Sequence, residues 1–261
     1  MGSLARIRTA AALLTALPVG RGDVQPADFR LSVPFFTFVG GLVGAIIGTV
    51  GLFSTAVGFN DHVAATFMVM ATFVVTRGMH WDAISDIADA WWSREDIAAR
   101  LQVMADPHVG AFGVFAQVIT VALAVGAYAT IVHDAQLVIP ISVAAAAAGR
   151  ASAVFGAYLG QPAKSTGLGA SVAGPGTIWS WALALGSGGV VVLVTGVLYG
   201  VVAPLVALYA VGAIIGGSVA HVVASRFGGI TGDVLGASIL VTEVSTVLVA
   251  ACCIGTPGLW G

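Results

Sequence analysis

Long apolar runs, each closed by a short polar stretch, set the rhythm of this chain. Seven runs are long enough to cross a bilayer as helices: about 33–57, 61–79, 111–132, 136–158, 178–199, 202–224 and 234–254. A helix of roughly 20 apolar residues spans the hydrocarbon layer. Inside that layer only helices and closed barrels satisfy every backbone polar group. The pattern predicts an all-α polytopic membrane helical bundle: about seven transmembrane helices in a single integral-membrane domain over residues 1–261. An N-terminal interfacial helix is expected ahead of them, in the run Thr9–Val19 that follows Arg6 and Arg8. That run is short, and no small-residue cleavage site follows before Pro18, so it reads as retained rather than as a cleaved signal peptide. Myristoylation at Gly2 is disfavoured by Arg6, which stands where Ser or Thr is required.

Composition strengthens this reading. The chain is 58% hydrophobic and only 8% charged, against about 25% charged in soluble domains. No basic, aromatic-rich tract points to nucleic acid. Cys252 and Cys253 are adjacent in an apolar run and read as packing residues, not a disulfide framework. Gly40, Gly44, Gly48 and Gly51 line the first span at intervals that let helices approach closely, and Gly186, Gly188 and Gly189 are expected to do the same in the fifth. With the N-terminus placed in the cytoplasm, nine of the ten Lys and Arg residues fall on inside segments: Arg6, Arg8, Arg21, Arg30, Arg77, Arg94, Arg100, Lys164 and Arg226. The tenth, Arg150, lies within a span. The positive-inside rule thus predicts a cytoplasmic N-terminus, an external C-terminus and cytoplasmic polar loops at 77–110, 159–177 and 225–233.

The segment from Arg77 to Gly113 changes the picture from a bundle to a reaction site. It holds six of the chain's twelve acids: Asp82, Asp86, Asp89, Glu95, Asp96 and Asp106. If 80–93 is helical, Asp86 and Asp89 lie only about 40° and 20° from Asp82 around the helix axis. Ile84, Ile87 and Trp91 take the opposite face, and His80 falls on that side as a structural or substrate-contacting residue. Three carboxylates on one face repel each other. Oxygen-only donors favour Mg²⁺, with Asp106 reaching the same ion across a helix break. The competing reading is a solvated face balanced by Arg77, Arg94 and Arg100. A carboxylate-held Mg²⁺ points to phosphate chemistry. Arg100 and Lys164 are suited to contact the phosphate, and the loops at Gly167-Leu168-Gly169 and Gly228 to Gly232 offer backbone amides.

These residues resemble a known family. Met79-His80-Trp81-Asp82-Ala83-Ile84-Ser85-Asp86-Ile87-Ala88-Asp89-Ala90 is similar to the HLDGLADTxDG signature of the cobalamin synthases, the adenosylcobinamide-GDP ribazoletransferases. Leu14-Thr15-Ala16-Leu17-Pro18-Val19 resembles their N-terminal element. Arg100, Met104, Asp106, Gly110 and Gly113 resemble a second motif, Gly167-Leu168-Gly169 a third, and Gly229-Ile230-Thr231-Gly232-Asp233-Val234-Leu235-Gly236-Ala237 with Glu243 a fourth. The chain departs from the pattern at Ala83 and Ala90, where the family has glycine, at Ala105, where it has a basic residue, and at Leu240, where it has an acid. The resemblance implies a Mg²⁺-dependent integral membrane transferase of the prokaryotic cytoplasmic (inner) membrane. Its substrates would be adenosylcobinamide-GDP and α-ribazole or its 5′-phosphate, with release of GMP and formation of adenosylcobalamin or its phosphate. Asp82, Asp86, Asp89 and Asp106 would hold the metal, with Arg100 and Asp233 beside them as catalytic residues. His80, Lys164, Gly167, Gly169, Thr231, Arg150 and Glu243 would contact substrate. Homo-oligomeric assembly is left open.

Two further residues are singled out by position. Glu243 sits about 15 Å into the last span and Arg150 at a matching depth in the fourth, so they are expected to pair or to share a polar pocket. Asp233 stands at a helix start and fits an N-terminal cap as well as a site carboxylate. Two other classes compete. A CDP-alcohol phosphotransferase needs a D-x2-D-G-x2-A-R run and a later D-x3-D pair, whereas here Asp86-Ile87-Ala88-Asp89 runs into Ala90-Trp91-Trp92-Ser93. A transporter with Arg150 and Glu243 as an ion relay would be expected to show inverted repeats, and none is evident.

Overall fold

The computed structural model describes the chain except residues 1, 20–25, 93–95, 256, 257, 259 and 261. Arg21, Arg94 and Glu95, used above, lie outside the described residues. The order is α1 (Ser3–Leu14), α2 (Pro26–Ser32), a 3-10 turn (Val33–Phe35), α3 (Phe36–Ala56), α4 (Asp61–Val75), α5 (Met79–Trp91) and α6 (Ile97–Val103), followed by α7 (Ala111–Val132), α8 (Val138–Leu159), α9 (Leu168–Val172), α10 (Ile178–Tyr199), α11 (Val202–Arg226) and α12 (Gly232–Cys253). The described residues form no named strand. One isolated parallel bridge joins Pro162 to Ile230.

Six segments are long and apolar enough to cross a membrane: Asp28–Ala56 and the helices α7, α8, α10, α11 and α12. The seventh predicted span is a broken one. α4 and α5 meet the criterion only together, and they are bent by 89°. The break falls at Thr76–Gly78, where Arg77 (φ 55°) and Gly78 (φ 70°) both take the left-handed conformation. That backbone is strained for arginine and free for glycine. α4 alone, at 15 residues, rises about 22 Å, so α5 lies across the end of the bundle rather than continuing the crossing.

α8 is the central helix. Nineteen of its 22 residues are buried, because α3, α11 and α12 enclose it. Its run Ala144 to Ala148 and Gly149 keep its surface flat, and the partners meet it with small residues. Gly40 and Gly48 of α3 leave no room for a side chain: a Cβ would stand 2.5 Å from the Ala146 carbonyl and 2.6 Å from Ile139 Cα. Gly44, between them, lies against the Ser142 carbonyl. The glycine spacing read from the first span therefore does place two backbones in contact. Of the three glycines read in the fifth span, Gly188 lies tight against the Thr37 side chain, while Gly186 faces open space and Gly189 makes ordinary contact. α1 packs against α2 and α3 and buries Thr9, Ala10, Ala11 and Leu14. The segment after it is tied to the end of α4 by Ala16 N–H donating to the Val75 carbonyl at 2.6 Å. Cys252 is exposed, Cys253 partly so, and both are free thiols.

Replacing Gly44 by Val should force α3 off α8 and lower stability by about 1–3 kcal/mol, the usual cost of overpacking. Gly126→Ala, with nothing within 4 Å, should leave it unchanged or raise it. Thermal unfolding in detergent measures both.

Candidate functional site

Three polar segments meet at one end of the bundle. The 160–163 segment and the start of α12 are stitched together by Ile230 N–H donating to Gln161 O at 2.8 Å and Ala163 N–H donating to Ile230 O at 3.0 Å. α5 is joined to the end of α11 where Arg226 donates to the Trp91 carbonyl at 3.0 Å and lies over the Trp91 ring. Arg100 of α6 in turn donates to the Arg226 carbonyl at 3.0 Å.

α5 is amphipathic, as its sequence predicts. Trp81, Ala83, Ile84, Ile87 and Ala90 are buried, whereas Asp82 is exposed and Asp86 and Asp89 are half-buried. Its apolar side is fixed by Trp81 Nε1 donating to Thr72 Oγ1 at 3.1 Å, and by Gln117 of α7 donating to the Trp81 carbonyl at 2.8 Å and to Ser85 Oγ at 2.7 Å. Gly236 lets α12 approach α5, since a Cβ there would sit 2.9 Å from Ala83 Cβ. That approach brings Asp233 to the carboxylates of α5. The Asp86 carboxyl is pushed up to about 6, first by burial and then by the negative charges of Asp82, Asp233 and Asp89. Four acids from two helices thus share one field. Among the described residues none of them forms an ion pair, and Lys164 is the cation whose charge reaches Asp233.

Asp89 has a further role that the sequence did not reveal. Its two carboxylate oxygens accept the amides of Gly110 at 2.7 Å and Gly113 at 2.8 Å, at the N-terminus of α7, where a negative charge is favoured. Gly110 and Gly113 are open to this contact because a Cβ at either would run into the Asp89 carboxylate. Asp106 stands outside the group. It is exposed and accepts the His108 amide at 2.9 Å, with His108 Nδ1 at 2.7 Å. Those bonds hold its carboxyl below the usual carboxylate range. The four expected metal ligands are therefore not gathered: Asp82 and Asp86 share a field with Asp233, Asp89 clamps α7 and Asp106 faces His108. Among the described residues no group of three or more His, Cys, Asp or Glu side chains is close enough to hold a metal ion. The donor chemistry still suits Mg²⁺. The group is all oxygen and unneutralised, each Asp89 oxygen keeps a second lone pair, and Mg²⁺ is commonly held by one or two carboxylates plus substrate phosphates.

Beside the acids lies a cavity of about 220 Å³, walled by Asp82, Asp233 and His80 and by apolar side chains including Leu14, Leu168 and Val172. His80 is buried at this wall. Burial and then the charge of Arg150 keep its ring neutral, well below its usual range. Lys164 is exposed at the same end. Gly167 (φ 92°) starts α9, Gly169 sits against the Ile230 carbonyl and Thr231 accepts the Val234 amide at 3.1 Å as the cap of α12. These three residues shape backbone, and it is Leu168, between the two glycines, that reaches the cavity. Asp233 is not the cap but lies just inside the first turn. Asp96, one of the six acids of the segment, caps α6 through the Ala99 amide at 2.9 Å.

Deeper in the bundle Arg150 Nη1 meets Glu243 Oε2 at 2.5 Å, both side chains almost wholly buried. Arg150 Nη1 also donates to the Ala146 carbonyl at 3.3 Å. The two residues do pair, as their matched depths require, and Arg150 touches the carboxylate region only through its charge on His80.

A bundle of spanning helices with a carboxylate-bearing cavity at one end defines a multi-pass membrane protein with a candidate catalytic end. The chain belongs to the cobalamin-5-phosphate synthase family, which matches residues 6–251. It is 35% identical to the adenosylcobinamide-GDP ribazoletransferase of Frankia casuarinae over 97% of this chain and 96% of that protein. It is 28% identical to that of Thermoanaerobacter pseudethanolicus over 95% and 97%. The match to the protein of the same name from Chlorobium chlorochromatii is 39% identical and spans 42% of that relative's length. No solved structure matches the chain.

Two outcomes are expected. Arg150→Met or Glu243→Leu alone should destabilise by about 3–5 kcal/mol, since each leaves a buried charge unpaired. The double substitution should recover most of that loss in thermal unfolding. Asp89→Ala should free the Gly110 and Gly113 amides, so hydrogen exchange at the start of α7 should speed at least about tenfold while the centre of α8 stays protected.

Proposed function

We infer that this chain is an adenosylcobinamide-GDP ribazoletransferase acting in the last stage of cobalamin biosynthesis. The observation that carries this is the group Asp82, Asp86, Asp89 and Asp233, whose burial and mutual repulsion lift Asp86 to about 6, in a chain matched to the family from residue 6 to 251. An unneutralised carboxylate group at a membrane edge is suited to a substrate that arrives as a metal-bound diphosphate. In the reaction a hydroxyl of α-ribazole, or of its 5′-phosphate, forms a new P–O bond to the phosphate on the corrinoid arm. The bond from that phosphorus to the bridging oxygen of the diphosphate breaks, GMP leaves with the electron pair, and the hydroxyl proton passes to a carboxylate or to water.

Asp82 and Asp86 would hold Mg²⁺ together with the substrate's phosphates, with Asp89 and Asp233 adding negative charge nearby. When bound, the ion supplies charge neutralisation across the diphosphate. The chain's own residues do the rest. Lys164 offers a positive contact for a phosphate oxygen near Asp233. The neutral His80 at the cavity wall presents a hydrogen-bonding ring without adding charge. Leu14, Leu168 and Val172 make the cavity wall apolar, which strengthens electrostatic contacts there. Arg100, tied to the Arg226 carbonyl, acts by holding α6 against α11. The active-site end faces the cytoplasm of a prokaryotic cell membrane on this reading. The basic residues support that: Arg30 reaches the Pro175 carbonyl, and Arg100 and Arg226 meet at the end of α5, so they cluster where the polar loops meet.

The test is GMP release by purified protein in lipid, supplied with adenosylcobinamide-GDP, α-ribazole and Mg²⁺. Asp82→Asn and Asp86→Asn should each lower the rate by about 10²-fold or more, the scale of losing one electrostatic contact to a phosphoryl-transfer transition state, and EDTA should abolish it. Full activity in both variants would remove the carboxylate group from the mechanism.

A further inference from the structure

A second hollow opens at the same end of the bundle, about 860 Å³, between α1, α2, α9 and α10. Arg6, Arg30, Tyr158, Ser171, Trp179 and Ser180 line it, and among the described residues no Asp or Glu does. Its polar equipment is unlike that of the carboxylate cavity, whose lining contains no Lys or Arg among the described residues. Arg6 Nε is buried without a hydrogen-bond partner among the described residues, an arrangement that costs free energy until an acceptor arrives. Arg30 is held in place by its bond to the Pro175 carbonyl at 3.0 Å and by Gly174, where a Cβ would come within 2.6 Å of Arg30 Cζ. The first turn of α10, capped by Thr177, opens into the hollow and adds a partial positive charge. Trp179 offers an 80% exposed ring.

The hollow and the carboxylate cavity are the two sides of one thin partition. Leu168 and Val172 of α9 face the cavity, whereas Ala170 and Ser171 face the hollow. α1 is shared in the same way, with Leu13 and Leu14 on the cavity and Arg6 on the hollow. The cavity, at about 220 Å³, is smaller than the roughly 300–1,000 Å³ of small-molecule sites and has room only for the reacting phosphate and its immediate substituents. The hollow falls within that range.

We propose that the hollow between α1, α2, α9 and α10 binds a nucleoside monophosphate group, with its phosphate on Arg6 and Arg30 and its base against Trp179, beside the site of phosphoryl transfer. The chemistry follows from the parts. A guanidinium fork matches phosphate oxygens, and an exposed indole stacks on any base. The identity of the ligand rests on the ribazoletransferase reading, in which two participants carry such a group: the departing GMP and ribazole 5′-phosphate.

Binding decides the matter without turnover. The full chain in phosphatidylcholine nanodiscs is titrated calorimetrically with GMP, ribazole 5′-phosphate, guanosine and ribazole. Arg30→Ala and Arg6→Gln should weaken one nucleotide at least about tenfold, the scale of a lost charged hydrogen bond, and leave its unphosphorylated nucleoside unaffected. The nucleotide that loses affinity names the source. Trp179→Ala should weaken nucleotide and nucleoside alike. Ser171→Trp, which fills the hollow and removes no charge, should block the same nucleotide, and this variant with Arg30→Ala decides if Arg6→Gln unfolds the protein. Unchanged nucleotide affinity in Arg30→Ala and Ser171→Trp would overturn the proposal. So would nucleotide binding that disappears on adding phosphatidylserine to the discs, which would make the hollow a lipid-headgroup site. Loss of GMP release in the carboxylate variants with intact arginine-dependent binding keeps both readings. Arginine-dependent binding by a protein that releases no GMP keeps this one and removes the other.

Discussion

Inside a bilayer, helices gain little from hiding apolar surface from one another, so close backbone approach and a few polar contacts must hold them. In this protein both act on α8. Gly40, Gly44 and Gly48 bring α3 down onto its backbone, and Arg150, wholly buried in its centre, is matched by Glu243 at 2.5 Å. A buried ion pair is a weak source of net stability. Its effect is on register. An unpaired guanidinium or carboxylate at that depth is costly, so α12 has one favourable height against α8. Asp233 lies ten residues from Glu243 on the same helix, and pinning Glu243 therefore fixes Asp233 about 15 Å away. The deep pair and the surface acids are one mechanical unit, joined by α12.

The second constraint is the right angle between α4 and α5. Two successive left-handed residues, Arg77 and Gly78, turn the chain so that α5 lies across the end of the bundle, and Trp81 and Gln117 then lock it there. Had α4 continued straight, the acids would have followed one another along the membrane normal. Laid flat, they meet Asp233 from α12 while Asp89 reaches the first amides of α7. The strain of the turn is spent on that convergence.

How far the sequence foretold this depends on what kind of interaction each residue makes. Apolar runs fixed by bilayer thickness were legible, as were the amphipathic phase of α5 and the matched depths of Arg150 and Glu243, because each follows from spacing along one helix. Asp89 was not. A carboxylate is an acceptor whether its partner is a cation or an amide, and the amides of Gly110 and Gly113 come from 21 and 24 residues away. The spacing of those two glycines was visible as a motif, but its physical content, room for Asp89, appears only in three dimensions. Arg100 shows the same limit: its residue type suggests a phosphate contact, and its bond to a carbonyl on α11 is visible only in three dimensions. Helix α9 was hidden in a polar loop because five residues are too few to show a period, yet it forms the wall between two cavities.

That wall separates charges of opposite sign, and the separation has a consequence. Were Arg6 and Arg30 on the carboxylate side, they would pair with Asp82, Asp86 and Asp233 and neutralise them in place. The repulsion that adds to burial in lifting Asp86 to about 6 would be relieved by the protein itself, leaving less for an incoming cation to relieve. Kept apart, the acids remain short of positive charge and the arginines short of negative charge. A ligand that brings a cation to one side and a phosphate to the other offsets both deficits at once. Strain of this kind lowers the stability of the empty protein and raises affinity for what fills it.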